Sequence, residues 1–353
     1  MQKASFSEQL SPLEWGPLSN DRFLELLATY KLAKIAILVD ENTHDHCLPY
    51  LLTGFDELAN SEIIMLPAGE ENKVLEVCFQ VWETLTESGF GRHDLLLNLG
   101  GGMVTDLGGF VASVYKRGIA FVNIPTSLLA IVDAAVGGKT GIDLAGYKNQ
   151  IGTFQDPLTT FIDIGFLNSL PEEEWRNGFA ELLKHALIAD KSLWQGLVDI
   201  QHIRQELSPD FIQKGVHIKQ AIVLEDPKEK GLRKTLNFGH TIGHALESYY
   251  LAQSNPIAHG HCVAIGMLIE AKISQLQVGL SSKAFDEIAA CIKRHFTLHI
   301  PTEIDAVWSL MQQDKKNQNG EVRCCLLSKI GTCVYDQTLT YDSYAIAMQY
   351  FQH

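Results

Sequence analysis

Three separated segments of this 353-residue chain carry side chains able to hold a metal ion. They are Glu181 in FAELLKHALI, the pair His240 and His244 in NFGHTIGHALE, and His259 in AHGHCVAIGM. Glutamate and imidazole suit Zn²⁺, and three protein ligands leave a position open for substrate, as a catalytic zinc requires. His240 and His244 are four residues apart, which puts both on one face of a helix. A zincin would read HExxH, but Thr241 stands where its glutamate belongs, so no general base is supplied and a protease is not indicated. Taken singly, each histidine is more often a satisfied core or surface residue.

A second chemistry lies in LNLGGGMVTDLGGFVAS, where Gly100, Gly101 and Gly102 follow a strand-like run and open a helix. Free N–H groups and the dipole at a helix start favour a phosphate. The turn is not a Rossmann fingerprint, because Thr105 replaces the last glycine and no acid follows about 20 residues on. Acidic residues instead close earlier strands: Asp40 after KIAILVD, and the GEENK stretch (69–73) after the next. Alone, the turn fits a phosphate site or a tight packing turn. Further on, KRGIAFVNIPTSLLAIVDAAVGGKTGIDLAGYKNQIGTF sets Asp133, Lys139, Lys148 and Asn149 among glycines. Lysines flanked by bare backbone can point at an approaching anion, or they can be the solvated lysines of a surface hairpin. A metal and a dinucleotide on one chain point to redox or elimination chemistry on a polyhydroxy substrate.

The elements that must position these groups change character along the chain. KIAILVD (34–40), EIIMLP (62–67), DLLLNLG (94–100), IAFVNIP (119–125) and TTFIDI (159–164) read as strands, and 70–90 has helical spacing ending at Gly89. This alternation predicts an α/β N-terminal domain with a mostly parallel nucleotide-binding sheet. After about residue 168, LPEEEWRNGFAELLKHALI, 194–224, 240–252, 260–276 and 282–296 carry helical spacing. The second half is therefore read as an all-helical, metal-binding C-terminal domain. The expected division is 1–168, the NAD-binding domain, and 169–353, the metal- and substrate-binding domain.

Composition narrows the partners. A net charge of −14 argues against nucleic acid or an anionic membrane, though a local basic cluster can still hold an anionic small molecule. No apolar run is long enough to span a bilayer, and the first 16 residues lack a signal-peptide core. Seven cysteines without CxxC spacing do not read as a disulfide framework, and Cys324 and Cys325 in VRCCLL are expected as buried thiols. A reduced, cytoplasmic protein is expected.

In this order, GGGMVTDLGG, RGIAFVNIPTSLLAIVDAAVGGKTGID, KNQIGTF, GFAELLKHALI, GLRKTLNFGHTIGHALE and HGHCVAIGM resemble the 3-dehydroquinate synthase family, from about residue 35 to 335. The resemblance implies the dehydroquinate synthase-like fold and a carbon–oxygen lyase acting on 3-deoxy-D-arabino-heptulosonate 7-phosphate. The implied course is transient oxidation by NAD⁺, loss of phosphate, re-reduction, ring opening and aldol closure to 3-dehydroquinate. A transient ketone acidifies the neighbouring C–H, which is what makes phosphate loss feasible. Zn²⁺, with Co²⁺ also fitting, acts as Lewis acid.

Carried over residue by residue, the resemblance makes Glu181, His240 and His259 the metal ligands and leaves His244 in the pocket. Lys139, Asn149, Lys184 and His244 match residues around the phosphate, and Asp133 matches a carboxylate near the metal-bound hydroxyls. Lys219, Arg233, Asn237 and one of Lys315 or Lys316 match contacts to hydroxyls and carboxylate. Arg117 matches an arginine that reaches the phosphate from a neighbouring subunit, which implies a homodimer. For NAD, Asp40, Glu70, Lys73, Gly101, Gly102 and Asp106 match, with Asn42, Thr126, Ser127, Lys139, Lys148, Phe166 and Ser169 as further contacts. Three departures stand out: His261 where relatives read HGE, expected to face outward, Tyr147 directly before Lys148, where relatives often have glycine, and Glu173 where an arginine is common. HDHC (44–47) looks like a metal cluster but is expected to be solvated.

Two rival enzymes share much of this pattern. A 2-epi-5-epi-valiolone synthase would act on a substrate lacking the carboxylate. A metal-dependent polyol dehydrogenase would release NADH. Retention of Lys219, Arg233, Leu236, Asn237 and His244 favours dehydroquinate synthase over the first, and the GGKTGID and KNQIGTF lysines speak against the second. A non-catalytic relative is disfavoured because all the inferred ligands and lysines are present.

Overall fold

The computed structural model describes residues 11–144, 147–313 and 321–352, with Tyr147 as backbone only. Lys315 and Lys316 lie outside the described residues. The chain divides into two compact units, Met1–Pro171 and Glu172–His353.

In the first unit, β1 (Leu13–Trp15), β2 (Ile35–Asp40), β3 (Glu62–Leu66), β4 (Leu95–Gly100), β5 (Ala120–Pro125) and β8 (Thr160–Ile162) form a parallel sheet. Between β5 and β8 the chain makes an antiparallel hairpin, β6 (Lys139–Leu144) and β7 (Tyr147–Phe154). The strand order is β1-β8-β5-β4-β2-β3, so successive strands leave β2 in opposite directions, to β3 on one side and β4 on the other. Helices α1 (Asp21–Thr29), α2 (Glu41–His46), α3 (Leu48–Gly54), α4 (Leu75–Glu87) and α5 (Gly102–Val114) cover the sheet.

The continuous apolar runs follow from burial on both faces. With side chains alternating along each strand, Ala36, Leu38 and Leu96 pack under Val81, Leu85, Leu107 and Val111 of α4 and α5. Ile37, Val39, Leu95 and Leu97 face the other way, against Phe23, Leu27 and Leu51. The five strands expected from sequence lie at the expected positions. The three-residue edge strand β1, half-buried throughout, is too short to show a pattern. The helix expected from residue 70 begins only at Leu75, because Glu70–Asn72 forms a 3₁₀ turn after Gly69 (φ 106°). The carbonyl of Lys73 then accepts from the Asp143 N–H at 2.7 Å, which ties this turn to β6.

The second unit contains α6 (Glu172–Ala189), α7 (Lys191–Leu197), α8 (Ile203–Glu206), α9 (Pro209–Glu225), α10 (His240–Ala252), α11 (His259–Gln277), α12 (Ser282–His295), α13 (Ile304–Gln312) and α14 (Tyr341–Gln352). The all-helical expectation needs correcting. Strands β9 (Arg323–Lys329) and β10 (Thr332–Thr338) form an antiparallel hairpin turning at Gly331 (φ 83°). The apolar run VRCCLL is its buried strand, and Cys324 and Cys325 are buried free thiols. The helical stretch read over 194–224 breaks because Ser208 caps a new helix with Pro209 at its first position. Helix α11 is buried on nearly all sides, from Cys262 to Ala271, and forms the axis of this unit.

Candidate active site

The second unit gathers the metal-type side chains. Glu181 lies on α6 and is 0% exposed, His240 opens α10, and His259 opens α11. Glu181 Oε1 is 3.4 Å from His240 Nε2 and 3.6 Å from His259 Nε2. Ligands about 2.1 Å from a tetrahedral ion stand roughly 3.4 Å apart, so this spacing fits a zinc-sized cation. The rings of His240 and His244 are 5.1 Å apart at their centroids, and those of His244 and His259 are 5.7 Å apart. One ring nitrogen from each of the three histidines falls within 4.8 Å of the others, so the geometry alone makes His244 a neighbour of any bound ion. Lys184, one turn beyond Glu181, is buried with its ammonium against Glu181 Oε2.

The far nitrogens of two rings are held. His240 Nδ1 lies 3.2 Å from the Phe238 carbonyl and His259 Nδ1 lies 3.4 Å from Glu247 Oε2. Both partners only accept, so each Nδ1 carries a proton and Nε2 is the nitrogen each ring turns toward Glu181. Burial by itself lowers the pKa of His259, but the charge of Glu247 and the hydrogen bonds to Glu181 and Glu247 outweigh it and raise it to about 9. A proton therefore competes with a cation for this ligand.

Farther along the same unit, Lys219 is buried on α9 and Arg233 and Asn237 lie on the 3₁₀ segment Leu232–Asn237. Asp226 accepts from the N–H groups of Lys230, Gly231 and Arg233 and so fixes the approach to that segment. Arg233 Nη1 donates to the Pro227 carbonyl at 2.8 Å, and Asn237 Nδ2 to Glu229 Oε1 at 2.7 Å.

In the first unit the nucleotide-type residues collect at the carboxyl ends of the parallel strands. Asp40 ends β2 and caps α2 through Thr43, with Asn42 in the first turn of that helix. Gly101 and Gly102 follow β4, where Gly101 is the N-cap of α5 and gives it no side-chain cap. These two strand ends flank the point where the strand order reverses, the usual seat of a ligand in an open α/β sheet. Thr126 and Ser127 follow β5, Asp133 lies in the turn Ala130–Ala134, and Phe166 and Ser169 follow β8. A Cβ at Gly101 would sit 3.4 Å from Ser127 Oγ, so glycine leaves room for backbone approach beside that hydroxyl.

Lys73 is the hub of this end. It is 3% exposed, and its ammonium lies 2.6 Å from Asp106 Oδ2, 2.9 Å from Asn149 Oδ1 and 3.4 Å from Glu70 Oε1. Burial lowers its pKa, but Asp106 and Glu70 more than reverse this and hold it above the ordinary lysine value. Asn149 takes a left-handed conformation (φ 51°), and its N–H donates to Asp143 Oδ1 at 2.7 Å. Burial raises the Asp143 carboxyl above the ordinary range, against the Asn149 N–H and Lys73. Lys139 and Lys148 lie on the β6–β7 hairpin, Lys148 with its Nζ 3.7 Å from Glu70. Arg117 is exposed with a positive φ of 69°, just before Gly118.

Sequence reasoning does not single out Asp143, Glu247, Phe238 or Glu270. Glu247 carries a signal, because it stands three and seven residues after the two histidines of α10 and shares their face. Asp143 carries none beyond its place in GGKTGID. His261 turns away, its Nε2 2.6 Å from the Thr297 carbonyl. The HDHC stretch does not close on itself: His44 pairs with Asp45 at the surface, and Cys47 is turned into the core.

This chain thus joins a parallel sheet with a glycine turn at its reversal point, in sequence, to a helical unit with a Glu–His–His cluster, and solved sugar phosphate cyclases share its fold. The structure of 2-epi-5-epi-valiolone synthase from Streptomyces hygroscopicus subsp. jinggangensis 5008, with NAD⁺ and Zn²⁺ bound, matches with a TM-score of 0.87 at 26% identity. It covers 100% of this chain and 99% of that one. A 2-deoxy-scyllo-inosose synthase complexed with carbaglucose-6-phosphate, NAD⁺ and Co²⁺ shares the fold, with a TM-score of 0.85 at 23% identity over 96% of each chain. Family profiles for the 3-dehydroquinate synthase N-terminal and C-terminal parts match residues 63–177 and 178–317. The 3-dehydroquinate synthase of Parabacteroides distasonis is 39% identical over 93% of this chain and 94% of its own length. That of Pyrococcus furiosus is 39% identical over 87% and 90%. The chain belongs to the 3-dehydroquinate synthase family.

Proposed function

We propose that the chain converts 3-deoxy-D-arabino-heptulosonate 7-phosphate to 3-dehydroquinate and phosphate, with NAD and a divalent metal, Zn²⁺ or Co²⁺. Within a chain of this family, the observation that carries the reading is the meeting of His240 Nε2 and His259 Nε2 at Glu181 Oε1. Glu181, His240 and His259 are the proposed ligands. When bound at these residues, the nucleotide would supply reversible hydride transfer with no net change in its redox state, and the metal would supply Lewis-acid polarisation of the substrate oxygen.

The chain's own residues do the rest. Lys184, His244, Lys139 and Asn149 bind the phosphate end, and Asp133 orients the metal-side hydroxyls. Lys219, Arg233, Asn237 and one of Lys315 or Lys316 hold the hydroxyls and carboxylate. Fixing both charged ends of a flexible substrate supplies much of the rate by orientation. The nucleotide is assigned to Asp40, Asn42, Glu70, Lys73, Gly101, Gly102, Asp106, Thr126, Ser127, Lys139, Lys148, Phe166 and Ser169. In this reading Lys73 acts from below, by fixing Glu70, Asp106 and Asn149. NAD binding is assigned to the domain proposed over 1–168, with Ser169 at its edge, and metal and substrate binding to the domain proposed over 169–353.

The proposal extends to a cytoplasmic homodimer in which Arg117 serves the neighbouring subunit's phosphate site. Among the described residues no helix is long and apolar enough to cross a membrane. The exposed, left-handed Arg117 supports a role toward another molecule. Mixing inactive Arg117→Ala and His240→Ala chains tests this: restored turnover in mixed dimers is expected, and none would count against it.

The primary test is a proton NMR time course with metal-loaded protein, catalytic NAD⁺ and substrate. Dehydroquinate should appear with no net NADH. Unchanged substrate, with the protein folded and metal-bound, would overturn the proposal.

A further inference from the structure

Helix α10 has no side-chain cap of its own, since its N-cap is Gly239 (φ 79°). The cap comes instead from Glu270, three turns into α11. Glu270 is 0% exposed, and its Oε2 accepts from the Gly239 N–H at 2.6 Å and its Oε1 from the Ile242 N–H at 3.4 Å. Close helix contact makes this reach possible. A Cβ at Gly266 would fall 2.0 Å from the Gly239 carbonyl, and one at Gly239 would fall 2.9 Å from Met267 N.

The peptide that Glu270 grips is the one that holds His240. The N–H of Gly239 and the carbonyl of Phe238 are two ends of one peptide group, and no cis peptide bond occurs among the described residues. A trans peptide points its N–H and C=O in opposite directions. The carboxylate of Glu270 therefore takes the N–H on one side while His240 Nδ1 donates to the carbonyl on the other. A charge accepting from the N–H draws electron density toward the carbonyl oxygen, making it a stronger acceptor.

We infer that Glu270 is a positioning residue for His240, acting through the Phe238–Gly239 peptide as Glu247 acts directly on His259. Each of the two proposed histidine ligands is thus backed by a carboxylate, one in contact and one a peptide away. The second link fixes the His240 tautomer and ring plane and raises the donor strength of Nε2. A buried carboxylate at a helix start is also stabilised by the dipole and the free N–H groups.

The inference rests on the proposed metal ligands, and the experiment separates the two. Zinc affinity is measured by competition with a chromophoric chelator for the wild type, Glu270→Gln and Glu270→Met, together with the Co²⁺ visible spectrum and melting with and without zinc. Glu270→Gln keeps the shape and loses the charge. We expect it to weaken zinc about tenfold, to shift the Co²⁺ bands and to shrink the zinc-induced rise in Tm, with Glu270→Met worse. A purely structural cap would lower both melting temperatures equally and leave the affinity and spectrum alone. Affinity within twofold and an unchanged spectrum in folded Glu270→Gln would overturn the inference, whereas a wild type that binds no zinc would overturn the ligand reading instead. If neither variant folds, amide exchange in the wild type decides. Slow exchange at Gly239 and Ile242 supports the link, and fast exchange at both refutes it.

Discussion

Replacing Lys73 with methionine should remove one of the most consequential charges in the first unit. The ammonium lies within hydrogen-bond reach of Asp106, Asn149 and Glu70 and is 3% exposed. Breaking a buried pair costs about 3–5 kcal/mol, because the remaining charge stays in a poor solvent. Here the Asp106 side chain keeps 18% exposure and Glu70 keeps 39%, so water recovers part of the loss. We therefore take the low end, about 3 kcal/mol. For a unit of this size each kcal/mol moves Tm by about 2–4 °C, giving a fall of roughly 6–12 °C. Lys148→Met is the internal control. Its Nζ is 3.7 Å from Glu70 with 30% exposure, and such a pair is worth less than about 1 kcal/mol.

The pH dependence adds a second check. Burial lowers the pKa of Lys73, but Asp106 and Glu70 outweigh it and hold the folded value above the ordinary 10.5. A raised pKa contributes stability that is complete below 10.5 and lost as pH climbs through the folded value. The gap between wild type and Lys73→Met should thus be constant from pH 7 to 9 and narrow only in strong alkali. Scanning calorimetry across that range reads both quantities. A fall in Tm under 2 °C, or a gap that changes between pH 7 and 9, would refute the reasoning.

Three further outcomes are expected. His240→Ala should lose its zinc and all turnover, while His244→Ala keeps zinc and slows phosphate loss; elemental analysis showing zinc gone from the second variant would reverse the ligand assignment. Zinc affinity should rise about tenfold per pH unit below about pH 9, because His259 must give up a proton held by Glu247 and Glu181. Chelator competition from pH 6.5 to 8.5 checks this, and a flat profile is the contrary result. By the same shift, His259 stabilises the metal-free fold below its ordinary value of 6.5, and this is lost as pH rises through about 9. Gly266→Ala should cost about 3 kcal/mol in urea unfolding, since its Cβ meets backbone on α10 that cannot swing aside. An unchanged midpoint would mean α10 and α11 are not in that contact.

Much of this arrangement is legible in the order of the amino acids. The strands at 35–40, 95–100 and 120–125 can be read because a sheet buried on both faces needs unbroken apolar runs. Helix α10 is legible from HTIGHALE, and with it the shared face of His240 and His244. The break of 194–224 into three helices escapes a reading by apolar spacing, which continues through the loops, although Ser208-Pro209 spells it. The hairpin β9–β10 escapes as an element because its outer strand, TCVYDQT, is half-exposed and bulged and so lacks clean alternation.

What the sequence determined alone was whatever depends on neighbours a few residues away: element type, the glycine turn after β4, and which histidines share a helical face. These follow from backbone sterics and a short repeat, and the ordered motifs sufficed to indicate the family. The tertiary structure decided which buried charge meets which. Nothing near Lys73 in sequence announces that Asp106 and Asn149 will close on it, and nothing near Gly239 announces Glu270, 31 residues on. A buried carboxylate must find donors, but any of several would satisfy it. Only the close packing of α10 on α11 brings the Phe238–Gly239 peptide within its reach.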